Sequence, residues 1–418
     1  MAYGSMKAMF QYAEKVFSRS ARFRQIADAR SNPTVPLAEV LQTWQWGLIR
    51  RLPSTEQIGD LLADPRWRAL LGLQPEQGGS PDSASRILDG ISIQEWNQML
   101  LEDFFTARRA GILSDSGQFG LRCAALDLNE LFKSESIHCP HCQVREKTVS
   151  DSEGNKRTVQ EYYHQAVALT WISGEIPFPI GWEIVAPGEG ELTAALRLLE
   201  RLLPVLRRSV DLILGDALYC CRPFFKTVTD AGLNAVAISS QQTEMDQEIE
   251  LLKQSSPPRI TGGRGSEVAV WEMESEAWKS DLHRKLRIID CDRRYEAPKW
   301  KHERRHLRVV TTMPLELLPA GQGWKVGRSR WIIENGTFNR MTSDYALEHN
   351  YRHSVSAIAG LLAMRSFAFL LTMAYHRHAI ARSKGATGRF IKWFHDIVVE
   401  DWVRFLDMAL KPRPQPSG

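Results

Sequence analysis

An alternation of helix and strand signals between residues 191 and 239 limits the possible folds more than any other feature. A leucine-rich amphipathic pattern over 191–208 predicts a helix, and the apolar run at 210–214 predicts a buried strand. Helix and strand signals then repeat once before residue 239. Such alternation is typical of an α/β layer with parallel strands.

Three further strands are predicted ahead of this alternation: one within 119–132 that ends near Asp127, one at 161–172 and one at 178–187. The middle of the chain therefore predicts a mixed α/β sheet flanked by helices. Residues 1–118 predict helices, one of which has Ser54 as its N-cap. These helices suit either a helix-turn-helix DNA reader or a plain bundle, because their spacing does not separate the two.

Positive charge is concentrated in one part of the chain. The net charge is +4, yet residues 284–308 hold ten Lys or Arg against four Asp or Glu. A basic surface on a nearly neutral chain suits nucleic acid, although salt-bridged surfaces would give the same count. The candidate phosphate contacts in this stretch are Arg293, Arg294, Arg304 and Arg305.

The six cysteines form no spaced disulfide framework, so we expect reduced thiols in a cytoplasmic setting. Cys139 and Cys142 have the spacing of half a zinc site. His164 or one of the flanking histidines, His138 and His141, would complete a structural Zn²⁺ site. A metal-free turn is the alternative.

The most apolar stretch, residues 355–375, is long enough to cross a membrane. Arg365 lies in its middle, and no second stretch resembles it. We therefore expect a buried helix of a large domain and no membrane partner.

Two aspartates follow predicted strands of the α/β layer. Asp127 lies near the end of the first strand, and Asp216 comes one glycine after the strand at 210–214. If these strands pair in parallel, both carboxylates project from one edge of the sheet. Each aspartate alone could equally be a turn or cap residue.

Glu334 is a third candidate. It lies on a predicted helix that places Trp331 and Phe338 toward the core, and a helix across the sheet edge would bring Glu334 to the aspartates. The alternative is a simple ion pair with Arg330, four residues earlier.

Three clustered carboxylates repel one another unless a cation compensates them. Mg²⁺ and Mn²⁺ prefer such ligands, and two ions can activate a nucleophile and stabilise the leaving oxygen of a phosphodiester. No Ser-His-Asp pattern stands out, and no Gly-rich strand–helix turn indicates a nucleotide enzyme. The sequence therefore favours metal-dependent phosphodiester chemistry.

The segments around the three acids resemble the DDE transposases of bacterial insertion sequences. The resemblance covers roughly residues 30–375 and rests on "AALDLNELFKS", "LILGDALYCCRPFFKTVTDAG" and "RSRWIIENGTFNRMTSDYALEHNYRHS". It implies an RNase H-like catalytic core with a β-rich insertion before the third acid, and metal binding by Asp127, Asp216 and Glu334. It also implies that Arg330 contacts a DNA phosphate or orients Glu334.

Two positions depart from the family pattern. Gly327 stands where the family often has tyrosine, and Met341, beside Arg340, stands where it often has lysine. These departures leave the three acids intact but affect how DNA ends are gripped. Arg340 and Asn335 join Arg330 as candidate DNA contacts.

The resemblance implies five consecutive segments. They are a helical, DNA-binding segment at 1–118, a first core part at 119–240, a basic β-rich insertion at 241–320, a second core part at 321–380 and a helical tail at 381–418.

The implied activity is cutting at the ends of a mobile element and joining the 3′-hydroxyls to target DNA with two Mg²⁺ or Mn²⁺ ions. The partners would be transposon ends, target DNA and further copies of the chain, in a homodimer or higher oligomer associated with a bacterial nucleoid. The alternative is a catalytically silent, transposase-derived DNA-binding protein.

Overall fold

The fold is that of a computed structural model, which describes residues 5–74, 86–114, 120–150, 154, 156–239, 244–263, 266–295, 304–382, 398 and 400–409. The chain forms two compact units, each built from separated stretches. Unit 1 comprises Met1–Leu113, Glu130–His164 and Asn339–Gly418, and unit 2 comprises Ser114–Asn129 and Gln165–Phe338. The five consecutive segments predicted from the sequence stay a prediction, and most of the tail at 381–418 lies outside the described residues.

Ten strands among the described residues form one mixed sheet. They are β1 (Cys123–Ser134), β2 (Gln143–Ser150), β3 (Lys156–Trp171), β4 (Phe178–Ile184), β5 (Leu212–Gly215), β6 (Asn234–Ile238), β7 (Arg259–Gly263), β8 (Ser266–Ser275), β9 (Leu286–Tyr295) and β10 (Arg304–Thr311). Their order is β2–β3–β1–β5–β6–β10–β9–β8–β7, with β4 beside β3.

The strands β4, β3, β1, β5 and β6 form the RNase H-like part of the sheet. β5 pairs in parallel with both β1 and β6, and Leu212 lies opposite Cys123 and Asn234. β3 and β4 pair antiparallel. Every residue of β5 is buried, as expected for a central strand covered on both faces. The predicted fold class, an RNase H-like mixed sheet flanked by helices, is confirmed.

The β-rich insertion before the third acid is also confirmed. β7, β8, β9 and β10 pair antiparallel in sequence order. β10 then pairs antiparallel with β6, with Val309 opposite Ile238, so the insertion continues the core sheet.

Several cations of the basic stretch are paired inside the insertion. Arg308 is 3% exposed and donates to Asp246 and Asp290, and it also pairs with Glu250. A buried cation without such partners would be strongly destabilising. Part of the positive charge at 284–308 therefore holds the insertion together, as the salt-bridged alternative predicts.

The helices outside the insertion follow the sequence signals, whereas the two within 241–320 were not predicted. They are α1 (Met6–Phe17), α2 (Arg19–Phe23), α3 (Leu37–Ile49), α4 (Thr55–Ala63), α5 (Pro65–Leu71), α6 (Ile93–Arg109), α7 (Glu191–Leu206), α8 (Arg222–Asp230), α9 (Glu244–Ser255), α10 (Lys279–Leu282), α11 (Gly323–Ser329), α12 (Asn339–Tyr345), α13 (Val355–Arg382) and α14 (Asp401–Ala409). α4 begins as predicted, because the Ser54 hydroxyl accepts from the Gln57 N–H at 3.2 Å.

α13 is the central helix of unit 1 and packs against α3 and α6. Its span Val355–His378 is long and apolar enough to cross a membrane, yet 94% of its most apolar window is buried. Arg365 donates to the carbonyl oxygens of Leu347 and His349, which offsets the cost of burying its charge. The prediction of a buried helix is confirmed.

Candidate active site

Asp127, on β1, and Asp216, the residue after β5, occupy equivalent places relative to two parallel strands. The pairing of β1 with β5 ends at Ala125 and Leu214. Each aspartate lies two residues further along, so both are carried at the same edge and, by strand alternation, on the same face. β1 continues to Ser134, so the expectation that it ends near Asp127 is wrong. What ends there is its pairing with β5.

Asp216 closes a tight turn after β5. Its Oδ1 accepts from the Leu218 N–H at 2.8 Å and so caps the 3-10 turn Ala217–Tyr219. A Cβ on Gly215 would lie 2.6 Å from Tyr219 Cγ, so glycine is required for the close approach of that ring. The Gly-Asp pair therefore serves as a turn and also presents a carboxylate.

Arg330 joins the first acid to the third. Its Nη1 donates to Asp127 Oδ2 at 2.9 Å, and its Nη2 donates to Glu334 Oε1 at 2.7 Å. The Arg330 and Asp127 side chains are 10% and 14% exposed, whereas that of Glu334 is 45% exposed. The pairing of Glu334 with Arg330 that the sequence raised as an alternative is present, but the same guanidinium also binds Asp127.

Glu334 lies in an unusual helical segment. Ile333–Phe338 is π-helical, with more residues in each turn than an α-helix. Phe338 is buried and stacks on Trp182 with ring centroids 5.7 Å apart, while Trp331 is 40% exposed. The expectation that Trp331 faces the core is therefore wrong, because it assumed an α-helical period. Single-turn π segments are frequent at functional sites.

The carboxylate cluster is short of positive charge. The pKa of Asp127 is raised to about 7, because burial and, to a smaller extent, the charges of Glu334 and Asp216 outweigh the opposing charge of Arg330. Asp127 is thus only partly ionised at neutral pH, and a further cation would favour its charged form. Carboxylate oxygens of these partly exposed acids are chemically suited to Mg²⁺ or Mn²⁺. Their ligand atoms do not all lie within 4.8 Å of one another, so binding would draw the three side chains closer together.

A fourth carboxylate, which the sequence did not indicate, lies beside Asp216. Glu191 is the first residue of α7, and its Oε1 accepts from the Tyr219 hydroxyl at 2.8 Å. Burial first, and then the charge of Asp216, raise the pKa of Glu191. In the sequence, an acid at a helix start is an ordinary partner of the helix dipole, so nothing marks this residue.

A basic cleft of about 500 Å³ adjoins Asp216. Arg305, Arg328 and Arg330 line it together with Trp331. The Arg328 guanidinium lies 3.6 Å from the centre of the Trp331 ring, a cation–π arrangement. An open cleft with three arginines beside acidic groups suits a phosphate backbone approaching the carboxylates.

The remaining candidate DNA contacts are distributed over both units. Arg293 lies opposite Arg305 across β9 and β10, and its guanidinium is 5.6 Å from the Trp324 ring centre. Arg294, exposed, pairs in register with Arg304, whose side chain lies outside the described residues. DNA contact by these residues stays a prediction.

The other two candidates follow Glu334 in the chain. Asn335 is exposed and its N–H donates to the Trp331 carbonyl oxygen. Arg340, in unit 1, places its guanidinium 5.6 Å from the Phe369 ring centre and 3.1 Å from Met373 Sδ. Their contact with DNA also stays a prediction.

The two departures from the family pattern have packing reasons. A Cβ on Gly327 would lie 2.7 Å from Leu307 Cδ2 and 2.9 Å from Val309 Cγ2, so a tyrosine does not fit unless these side chains move. Met341 is fully buried in unit 1, where an unpaired lysine would be costly.

An RNase H-like sheet that carries clustered carboxylates beside a basic cleft is typical of proteins that act on phosphodiesters with divalent metals. The family described as "Transposase DDE domain" matches residues 138–371, more than half of the chain. The chain therefore belongs to the DDE transposase family. The match includes Asp216 and Glu334 and begins after Asp127.

Among solved structures, a cryo-EM structure of piggyBac transposase in a synaptic complex with hairpin DNA is similar. The similarity has a TM-score of 0.43 at 11% identity and covers 98% of this chain and 82% of that chain. No curated protein matches the chain.

Proposed function

We propose that this transposase cuts DNA at the ends of a bacterial insertion sequence and joins the freed 3′-hydroxyls to target DNA. The observation that carries the proposal is the arrangement of Asp127, Asp216 and Glu334. Asp127 and Asp216 each lie two residues beyond the last pair of the parallel strands β1 and β5, and Glu334 is tied to Asp127 through Arg330.

Asp127, Asp216 and Glu334 would hold two Mg²⁺ or Mn²⁺ ions. The raised pKa of Asp127 supports this assignment, because burial and neighbouring carboxylates leave the site in need of positive charge. When bound, two such ions activate an attacking oxygen and stabilise the leaving oxygen of a phosphodiester.

The chain's own residues would position the acids and the DNA. Arg330 holds Asp127 and Glu334 in one orientation and acts as a positioning residue. Arg305 and Arg328 line the cleft and would neutralise phosphates that enter it. Charge neutralisation of this kind fixes the register of a DNA strand without reading its sequence.

The reaction joins two DNA ends to one target, so we propose that the active form is a homodimer or a higher oligomer. Light scattering of the protein with and without end DNA tests this part. Assembly only when end DNA is present supports it, and a monomer throughout contradicts it.

Cleavage of end DNA tests the proposal. The substrate is the inverted repeat found by sequencing the DNA that flanks the coding region. Wild type is expected to cut it in Mg²⁺ and to release a 3′-hydroxyl, whereas Asp216→Asn is expected to be inactive. The matched control is Asp230→Asn, which changes an exposed aspartate that pairs with Lys226 on α8. Equal cutting by all three proteins would contradict the assignment.

One observation favours a second candidate, a silent DNA-binding protein derived from a transposase. Arg330 already supplies a positive charge to Asp127 and Glu334. Titration with Mn²⁺, followed by electron paramagnetic resonance, separates the two. Stoichiometric binding that Asp216→Asn weakens supports the enzyme, and DNA binding without Mn²⁺ binding supports the silent protein.

A further inference from the structure

Two cysteines and two histidines, residue types that can bind a metal, meet in unit 1. Cys139 and Cys142 lie in the turn between β1 and β2, His164 lies on β3, and His353 lies just before α13. One ligand atom from each residue lies within 4.8 Å of all the others. Among the described residues, no other group of three or more His, Cys, Asp or Glu meets that criterion.

The distances between these atoms match a tetrahedral zinc site. Ligands about 2.3 Å (sulfur) and about 2.0 Å (nitrogen) from a tetrahedral zinc lie roughly 3.8 Å apart for two sulfurs and roughly 3.5 Å apart for sulfur and nitrogen. The two Sγ atoms are 3.9 Å apart. His164 Nε2 lies 3.5 Å from Cys139 Sγ and 3.4 Å from Cys142 Sγ, and His353 Nε2 lies 3.4 Å from Cys142 Sγ.

The turn is shaped to hold thiolates. The Cys139 N–H donates to Cys142 Sγ at 3.3 Å, and the His141 N–H donates to Cys139 Sγ at 3.4 Å. Backbone donors aimed at sulfur stabilise its negative form, which is the form that binds metal. Both cysteines are free, so the pair is not joined as a disulfide.

The histidines that flank the cysteines do not take part. The His138 ring stacks on Tyr162 with centroids 4.5 Å apart, and His141 is exposed. His164 was one of the candidates that the sequence raised. His353 was not, because it lies 211 residues after Cys142.

We propose that Cys139, Cys142, His164 and His353 bind one structural Zn²⁺. Two sulfur and two nitrogen ligands with no open position make a closed site, which contributes to folding rather than to catalysis. The ion would tie the β1–β2 turn and β3 to the segment before α13. Three separated stretches of unit 1 would thereby share one cross-link.

Metal analysis of the full chain, purified with a reducing agent and without chelators, tests the proposal. We expect one zinc per chain by mass spectrometry, and X-ray absorption at the zinc edge is expected to report two sulfur and two nitrogen neighbours. Cys142→Ser and His353→Asn are expected to lower the zinc content at least tenfold. The matched controls, Cys221→Ser and His138→Asn, are expected to keep it.

Protein purified without zinc is titrated with Zn²⁺ alone, with a competing chromophoric chelator present. Stoichiometric uptake supports the site even if the cysteine and histidine variants fail to fold. Wild type that takes up no zinc, a sulfur-free absorption spectrum, or variants that retain full zinc would each overturn the proposal. So would a Cys139–Cys142 disulfide in the freshly purified protein.

Discussion

The carboxylate site of unit 2 and the Cys/His cluster of unit 1 both bring together side chains suited to binding metal ions, but with different ligand chemistry. Asp127 and Glu334 are held by the Arg330 guanidinium, Glu334 remains 45% exposed, and Asp216 lines an open cleft. The four Cys and His ligand atoms lie within 4.8 Å of one another and would fill all four positions of a tetrahedral zinc. An open site suits an exchangeable catalytic ion, and a closed site suits a permanent structural ion.

The largest expected effect separates catalysis from zinc binding. Glu334→Gln keeps the side-chain shape but removes a charged metal ligand, so cleavage of end DNA should fall by roughly a thousandfold or more. The zinc content should not change. Glu276→Gln, at an exposed residue that pairs with Lys279, is the control and should cut normally. Unchanged cleavage in Glu334→Gln would contradict a catalytic role for Glu334. Loss of zinc in this variant would contradict the separation of the catalytic site from the zinc site.

The second effect is the pH dependence of Mn²⁺ binding at the carboxylate site. Because the pKa of Asp127 is raised to about 7, a proton competes with the metal below that pH. Apparent Mn²⁺ affinity should fall about tenfold for each pH unit between roughly 7 and 5. In Asp127→Asn this dependence should flatten, and calorimetry at three pH values measures it. A flat profile in wild type would count against the assigned role of Asp127.

The third effect concerns the stability of metal-free protein. A carboxyl whose pKa is raised in the folded state binds a proton that the unfolded state releases, so stability falls as pH rises from about 4 to about 7. Asp127→Asn removes this cost and should raise the free energy of unfolding at pH 8 by about 1–3 kcal/mol. Near pH 4 the gain should disappear. Denaturant unfolding at pH 8 and at pH 4 measures the gain and its disappearance. If Asp127→Asn were less stable than wild type at pH 8, a raised pKa of Asp127 would be contradicted.

The smallest effect concerns the cleft beside Asp216. Arg305→Gln should weaken DNA binding by several-fold and reduce the slope of affinity against salt by about one unit, as loss of one phosphate contact requires. Arg259→Gln, an exposed change on β7, is the control. An unchanged salt slope in Arg305→Gln would remove this residue from the DNA path.

The sequence predicted the parts of the fold and site that depend on local pattern. Asp216 follows a buried strand, Ser54 caps a helix, and the apolar stretch at 355–375 is a buried helix. These features follow from hydrophobic periodicity and cap chemistry, which act over a few residues.

Features that depend on tertiary contacts were not predicted. Arg330 reaches Asp127 across 203 residues of sequence. The π-helical segment Ile333–Phe338 alters the angular offset between Trp331 and Phe338 from that of an α-helix. No local sequence signal distinguishes this segment from an α-helix. Glu191 and His353 have ordinary sequence surroundings, and their significance comes from what the fold places beside them.

Anomalous diffraction at the manganese edge, from crystals of the protein grown with Mn²⁺, is the most direct test of the central claim. We expect manganese peaks within about 2.2 Å of carboxylate oxygens of Asp127, Asp216 and Glu334, on the scale of Mg²⁺ ligation. Manganese bound elsewhere at millimolar concentration, with no peak beside these three residues, would contradict it.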